Sequence, residues 1–272
     1  MKEKAEMHYL YHDHTFVLCC YGESPYVEEC INSLKAQTIQ TNVLIATSTP
    51  SEMINHLGKK YDIPVRVNQQ SMGIGSDWNF AYQCAETALV TITHQDDIYE
   101  PEYSEYVLND LNRAKDPIIW FSDYYELRNG CKIYNTKNLR IKRLMLHPLR
   151  WAAFQNSRFV RRRILSLGSP ICCPSVTYVK DKCGEGPIFS TEMKVSLDWD
   201  QWEKQSKKIG AFVYSPKLLM THRIHEASAT TALIASNTRS YEDLVMYQRF
   251  WPRPIAQWLE NRYANSEKSN NV

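Results

Sequence analysis

No apolar run in this chain approaches the roughly 18 residues needed to cross a bilayer, so it is expected to be soluble or at most peripheral to a membrane. Its opening, MKEKAEMHYLYHDH, is too polar for a signal peptide. A strong charge of either sign is also missing. Lys and Arg number 32 against 30 Asp and Glu, a net charge of +2, which gives no overall pull towards nucleic acid or an anionic membrane. Among the eight cysteines there is no CxxC, and two pairs are adjacent, Cys19–Cys20 and Cys172–Cys173. That arrangement suits neither a disulfide framework nor a zinc knuckle, and points to a reduced, cytosolic protein. Internal repeats and low-complexity segments are absent. What is present is globular: 43% hydrophobic and 23% charged residues over 272 positions, enough for one large α/β domain or two modest ones.

Apolar, β-branched runs at 16–20, 43–47, 64–67, 89–93 and 118–122 alternate with helical patterns. This implies right-handed βαβ units and a mostly parallel sheet. Ser24 is expected to cap the first helix, with Pro25 at its first position. A second helix is expected to end at Gly58. Residues 171–179 read as a strand in a mixed sheet and 212–214 as a short one. A helix opens near 196, and another over 239–249 is followed by a further amphipathic turn or two. The run at 89–93 ends abruptly in His94-Gln-Asp-Asp97. Buried strands are apolar along their length, and ligands of open α/β sheets sit at the strands' carboxyl ends. Asp96 and Asp97 therefore either cap the next helix or hold a ligand.

Three blocks in series carry a resemblance: the first strand–turn–helix, the strand ending Asp-Asp-Ile-Tyr-Glu-Pro101, and Leu-Asp198-Trp-Asp followed by His222-Arg-Ile-His-Glu-Ala-Ser228. Together they resemble a family 2 glycosyltransferase of the GT-A fold over about residues 14–231. The resemblance implies a Rossmann-like, mostly parallel central sheet flanked by helices, with a C-terminal helical extension. It implies an inverting enzyme that moves a sugar from a nucleotide diphosphate sugar to a hydroxyl of a glycan or polyprenyl-linked acceptor. UDP is the default nucleotide, and Mn²⁺ or Mg²⁺ the cofactor. Asp96 matches the second Asp of the family's Asp-x-Asp motif and so becomes the metal ligand, with His225 completing the site. Asp198 matches the catalytic base, and Arg223 and Ser228 match residues that hold the diphosphate. His94 stands where the first Asp usually contacts the ribose, and Asp97 is expected to orient its neighbours.

Tyr21, Glu23, Thr47, Asp77 and Asn79 lie on loops expected to line the base and ribose pocket. Where relatives carry a base-reading Asp, this chain has Thr47 and Ser48. Trp199 either packs an acceptor sugar or joins the core. Gly73-Ile-Gly75 lacks the third Gly of a dinucleotide fingerprint, and Gly73 is expected to serve backbone conformation near the donor. The basic stretch 137–163 reads as a solvated, mobile segment, or else as a cover over the acceptor site that meets an anionic membrane or lipid carrier. The expected divisions are a tail over 1–13, a donor half over 14–125, an acceptor half over 126–231 and an extension over 232–272. Two rivals differ in class. A nucleotidyltransferase would show a Gly-rich, Lys- or Arg-bearing loop after the first strand, which Tyr21-Gly-Glu-Ser-Pro25 lacks. The other is a non-catalytic sugar-nucleotide or glycan-binding protein.

Overall fold

The seven residues HTFVLCC form β1 (His14–Cys20), apolar to both sides as a strand covered on both faces must be. In the computed structural model, which describes residues 8–225 and 238–268, β1 lies between β2 (Asn42–Thr47) and β4 (Leu89–His94), parallel to both. β3 (Val65–Val67) extends this parallel run beyond β2. The helices α1 (Val27–Lys35), α2 (Glu52–Lys60) and α3 (Ile74–Cys84) make the returns. This half is the βαβ arrangement expected.

The other half departs from it. β6 (Pro117–Arg128) does not lie beside β4, because β8 (Val176–Val179) inserts between them, antiparallel to both. A buried hydroxyl pair, Thr91 Oγ1 to Thr177 Oγ1 at 2.6 Å, marks that β4–β8 junction. The order is β3-β2-β1-β4-β8-β6-β9-β5, with the short β7 (Cys131–Ile133) on β6. β9 (Ala211–Arg223) runs parallel to β6, and β5 (Ile98–Tyr99) pairs antiparallel with β9. The sheet is thus mixed from β8 onwards.

Side-chain alternation sorts the strands onto two cores. Phe16 and Leu18 pack with Val27, Ile31, Ile54 and Val107, the last from α4 (Tyr103–Arg113). Val17, Val90 and Ile92 face the opposite way, into a cluster with Tyr82, Trp199, Trp202 and Phe212. Each such fully buried side chain contributes about 1.5–3 kcal/mol. The second cluster is closed by α7 (Arg158–Leu165), α9 (Leu197–Ser206) and α10 (Thr238–Gln248), with Met246 and Tyr247 among its fully buried members.

Several local expectations change. α2 runs through Gly58, where a Cβ would stand 2.7 Å from Val65 Cγ2, so that glycine permits helix–strand approach and not a helix end. α1 begins at Val27, and Ser24 does not cap it; its hydroxyl turns to Asp96 instead. The short strand expected at 212–214 is part of one longer strand, β9. Its ladder to β6 skips Pro216 and Lys217, since Pro has no N–H to give, and the run looked interrupted in sequence for that reason. The last helix, α11 (Arg253–Lys268), is longer than the turn or two expected. Near the start, Tyr9 is buried and exchanges two backbone hydrogen bonds with the Asn112 side chain, which ties residues of the expected tail onto α4.

The basic stretch is ordered, not a loose solvated segment. It forms α5 (Lys137–Leu146), α6 (Ala152–Gln155) and α7, and α8 (Lys180–Cys183) follows β8. Arg161 is 1% exposed, and its guanidinium donates to the carbonyls of Ser206 (3.2 Å), Lys208 (2.7 Å) and Gly210, just beyond α9. Arg162 pairs with Glu203 at 2.6 Å. Arg161→Met is expected to cost about 2–4 kcal/mol, because buried carbonyls lose their donors. Urea unfolding checks this: the midpoint should fall with the slope unchanged.

Candidate active site

The pairing of β5 with β9, Ile98 opposite Thr221, brings the carboxylates after β4 against the end of a strand 120 residues later in the chain. Asp97 is 1% exposed, and its Oδ1 accepts from His222 Nδ1 at 2.9 Å and from the Arg223 backbone N–H at 3.0 Å. Burial disfavours charge on both partners, yet their mutual attraction wins. It holds the Asp97 carboxyl below its ordinary range and the His222 imidazole above its own.

Asp96 faces a cavity of about 650 Å³. Its Oδ1 accepts from Ser24 Oγ at 2.6 Å, and its Oδ2 lies 3.2 Å from His225 Nε2. Arg223 donates through Nε to the Asp96 carbonyl at 2.9 Å, pairs with Glu29 and lies over the Tyr26 ring at 4.1 Å. One carboxylate and one imidazole converge here. Among the described residues no set of three His, Cys, Asp or Glu does so. That donor set fits a hard cation that takes most of its ligands from phosphate and water oxygens, and does not fit a closed structural metal site.

The nucleotide-side candidates divide. Tyr21, Thr47, Asp77 and His94 all line the cavity, with Gly73 at φ +111° on its rim. Asp77 accepts from Ser48 Oγ (2.8 Å) and Asn68 Nδ2 (2.9 Å), so a carboxylate from α3 is held against the end of β2. His94 stacks on Trp78, centroids 5.0 Å apart, and burial lowers its pKa, which leaves a neutral imidazole. Gln95 braces the first loop through both backbone groups of Tyr21. Asn79 is not at the cavity: it is buried, accepts from the N–H groups of Ile188 and Phe189, and donates to the Phe189 carbonyl. It clasps a loop. Glu23 is exposed and also off the cavity. Ser228 lies outside the described residues.

The cavity is also lined by Asp198, in the first turn of α9. Burial pushes its carboxyl up to about 6, against the Trp199 N–H (2.6 Å to Oδ1) and the charges of Arg239 and Lys142, which hold it down. The loop before it is fastened by Glu242 of α10, whose carboxylate accepts the N–H groups of Lys194, Val195 and Ser196 at 2.8–2.9 Å. Trp199 is 1% exposed, gives its indole N–H to the Leu165 carbonyl and meets Tyr247 edge-on. Of its two readings, this packing favours the core.

Sequence reasoning missed Ser24, Asn68 and Glu242. Ser24 read as a helix cap and the other two carried no motif; only spatial neighbours reveal their partners. Ser48 and His222 were in view, without the partners they find here.

A helix-flanked mixed sheet with strand-end carboxylates at a cavity is the architecture of a glycosyltransferase of the GT-A fold. Residues 15–178 match the model of glycosyl transferase family 2, and the chain belongs to that family. This decides against the nucleotidyltransferase and non-catalytic alternatives. An uncharacterised glycosyltransferase of Rickettsia prowazekii is 24% identical over 237 residues, covering 85% of this chain and 69% of the relative. S. aureus TarS 1–349 in complex with UDP-GlcNAc superposes with a TM-score of 0.65 at 15% identity, over 94% of this chain and 73% of that one. Of a longer TarS chain only 42% is covered. A mannosyltransferase from Pyrobaculum calidifontis in complex with GDP-Man and Mn²⁺ gives 0.58 at 13% identity, over 93% and 69%.

The raised Asp198 carboxyl has a consequence for stability. A carboxyl lifted above its unfolded value destabilises the fold once it must ionise, so the penalty grows between about pH 4 and 6 and persists above. Asp198→Asn is therefore expected to be more stable than wild type by about 1–2 kcal/mol at pH 7.5 and indistinguishable near pH 4. Thermal melts at the two pH values check the sign.

Proposed function

We propose that this glycosyltransferase transfers a sugar, with inversion, from a nucleotide diphosphate sugar to a hydroxyl of a glycan or lipid-linked acceptor, using Mn²⁺ or Mg²⁺. The observation that carries this reading is that Asp96 and Asp198, from distant parts of the chain, line one cavity. A divalent cation held by Asp96 and His225 would neutralise charge growing on the departing diphosphate. Ser24 holds the Asp96 carboxylate in orientation, and the Asp97–His222 pair fixes the strand end that bears Arg223. Arg223 then lies where its planar fork can meet phosphate oxygens.

Asp198 takes the proton of the acceptor hydroxyl as that oxygen attacks the anomeric carbon and the sugar–phosphate bond breaks. A carboxyl lifted towards 6 is a better proton acceptor than an ordinary Asp and is still largely ionised at neutral pH. Tyr21, Thr47, Asp77 and His94 line the nucleotide side, with residues 14–125 as the donor half and 126–231 as the acceptor half. The eight unpaired cysteines suit a cytoplasmic location. No helix among the described residues is long and apolar enough to cross a membrane.

A thermal-shift screen of UDP and GDP with and without Mn²⁺ tests the donor side. A ligand at 100 times its Kd should add about 2.7 kcal/mol of apparent stability, visible as a rise in Tm. Asp96→Ala should lose the metal-dependent part of that rise. Asp198→Ala should keep it, yet release nucleotide from the donor sugar about 10²–10⁴-fold more slowly. Equal release in Asp198→Ala would remove it as the base.

A further inference from the structure

Most cations of the 137–163 stretch that reach inwards have an answering acceptor: Arg143 pairs with Asp123, Arg162 with Glu203, and Arg161 with three carbonyls. Lys142 does not. It lies on α5 with its ammonium at the wall of the active-site cavity, donating to the Tyr124 hydroxyl at 2.9 Å and lying 5.5 Å from the centre of that ring. It makes no ion pair with any described residue.

An ammonium carries three donors, and a neutral phenol takes only one of them. Enclosing a charge against a neutral partner is costly unless something else supplies the opposite charge. A tyrosine also fixes the ammonium in place without cancelling its charge, which leaves it able to bind an anion. Asp198, Cys172 and Tyr263 line the same cavity and are among the charged or titratable neighbours of Lys142, as is His222. The diphosphate side already has Arg223 and His225.

Building on the reading of Asp198 as the base, we propose that Lys142 binds an anionic group, a phosphate or a carboxylate, on the acceptor substrate. The acceptor is thus a charged saccharide or phosphate-bearing molecule, anchored at Lys142 while its hydroxyl reaches Asp198. Tyr124 is the positioning residue that aims the ammonium.

The test keeps the donor site occupied. With UDP and Mg²⁺ saturating, inorganic phosphate titrated at constant ionic strength should raise the Tm of the wild-type protein further. Lys142→Gln, which can still hydrogen-bond Tyr124, should weaken that phosphate response about 10-fold or more, whereas Lys142→Arg should keep it within about 3-fold. Both variants should retain the UDP–Mg²⁺ shift. No phosphate response in the wild type, or the same response in Lys142→Gln, overturns the proposal. Loss of the UDP–Mg²⁺ shift in Lys142→Gln also overturns it, since the ammonium would then serve the donor diphosphate. Failure of UDP to stabilise the wild type would count against the donor reading alone, and phosphate titrated without nucleotide still reads Lys142.

Discussion

One buried carboxylate joins the two parts of the chain that make the site. Asp97 is held almost out of solvent, where an unpaired charge would be strongly unfavourable, and its partners come from the far end of β9. Because it accepts from both the His222 ring and the Arg223 backbone, it fixes the register of β5 against β9. That register determines where Arg223 and His225 stand relative to Asp96. The geometry around Asp96 follows from a hydrogen-bonded pair on the neighbouring residue.

A second constraint acts around Asp198. α9 ends in carbonyls that the Arg161 guanidinium gathers, and the loop before its first turn is gripped by Glu242 from α10. The helix carrying Asp198 is therefore held at both ends by charged groups from outside the central sheet. Such charge-assisted hydrogen bonds are stronger than neutral ones, and they leave the carboxylate little room to drift. C-terminal residues that read as an appendage thus support the position of Asp198.

The surroundings of the two carboxylates differ electrostatically. Around Asp96, cations and imidazoles draw the cavity towards anionic ligands. Around Asp198, burial raises the carboxyl against the charges of Arg239 and Lys142, and the Lys142 ammonium stands against a phenol. Each half holds the kind of charge that its substrate end would need.

Periodicity and the abrupt stop of an apolar run were enough to place β1, β2, β4 and the helices between them, because those elements are built from local pattern and bury their own faces. Asp96, Asp198 and the His222–His225 block were legible for a similar reason: charged residues stand out where a strand or helix should be apolar. Other features were not local. Asn79 looked like a ligand residue and is a loop clasp, since its partners lie 110 residues away. β8 could not be placed between β4 and β6 from its own short run of apolar and hydroxyl residues, and β9 was hidden by Pro216. The sequence by itself determined the strands and helices of the parallel half and singled out charged residues at the ends of β4, β9 and the start of α9. Only the tertiary structure decided which cations are neutralised within the fold and which face the cavity. Pairing between distant side chains depends on register and burial, and neither is written in spacing along the chain.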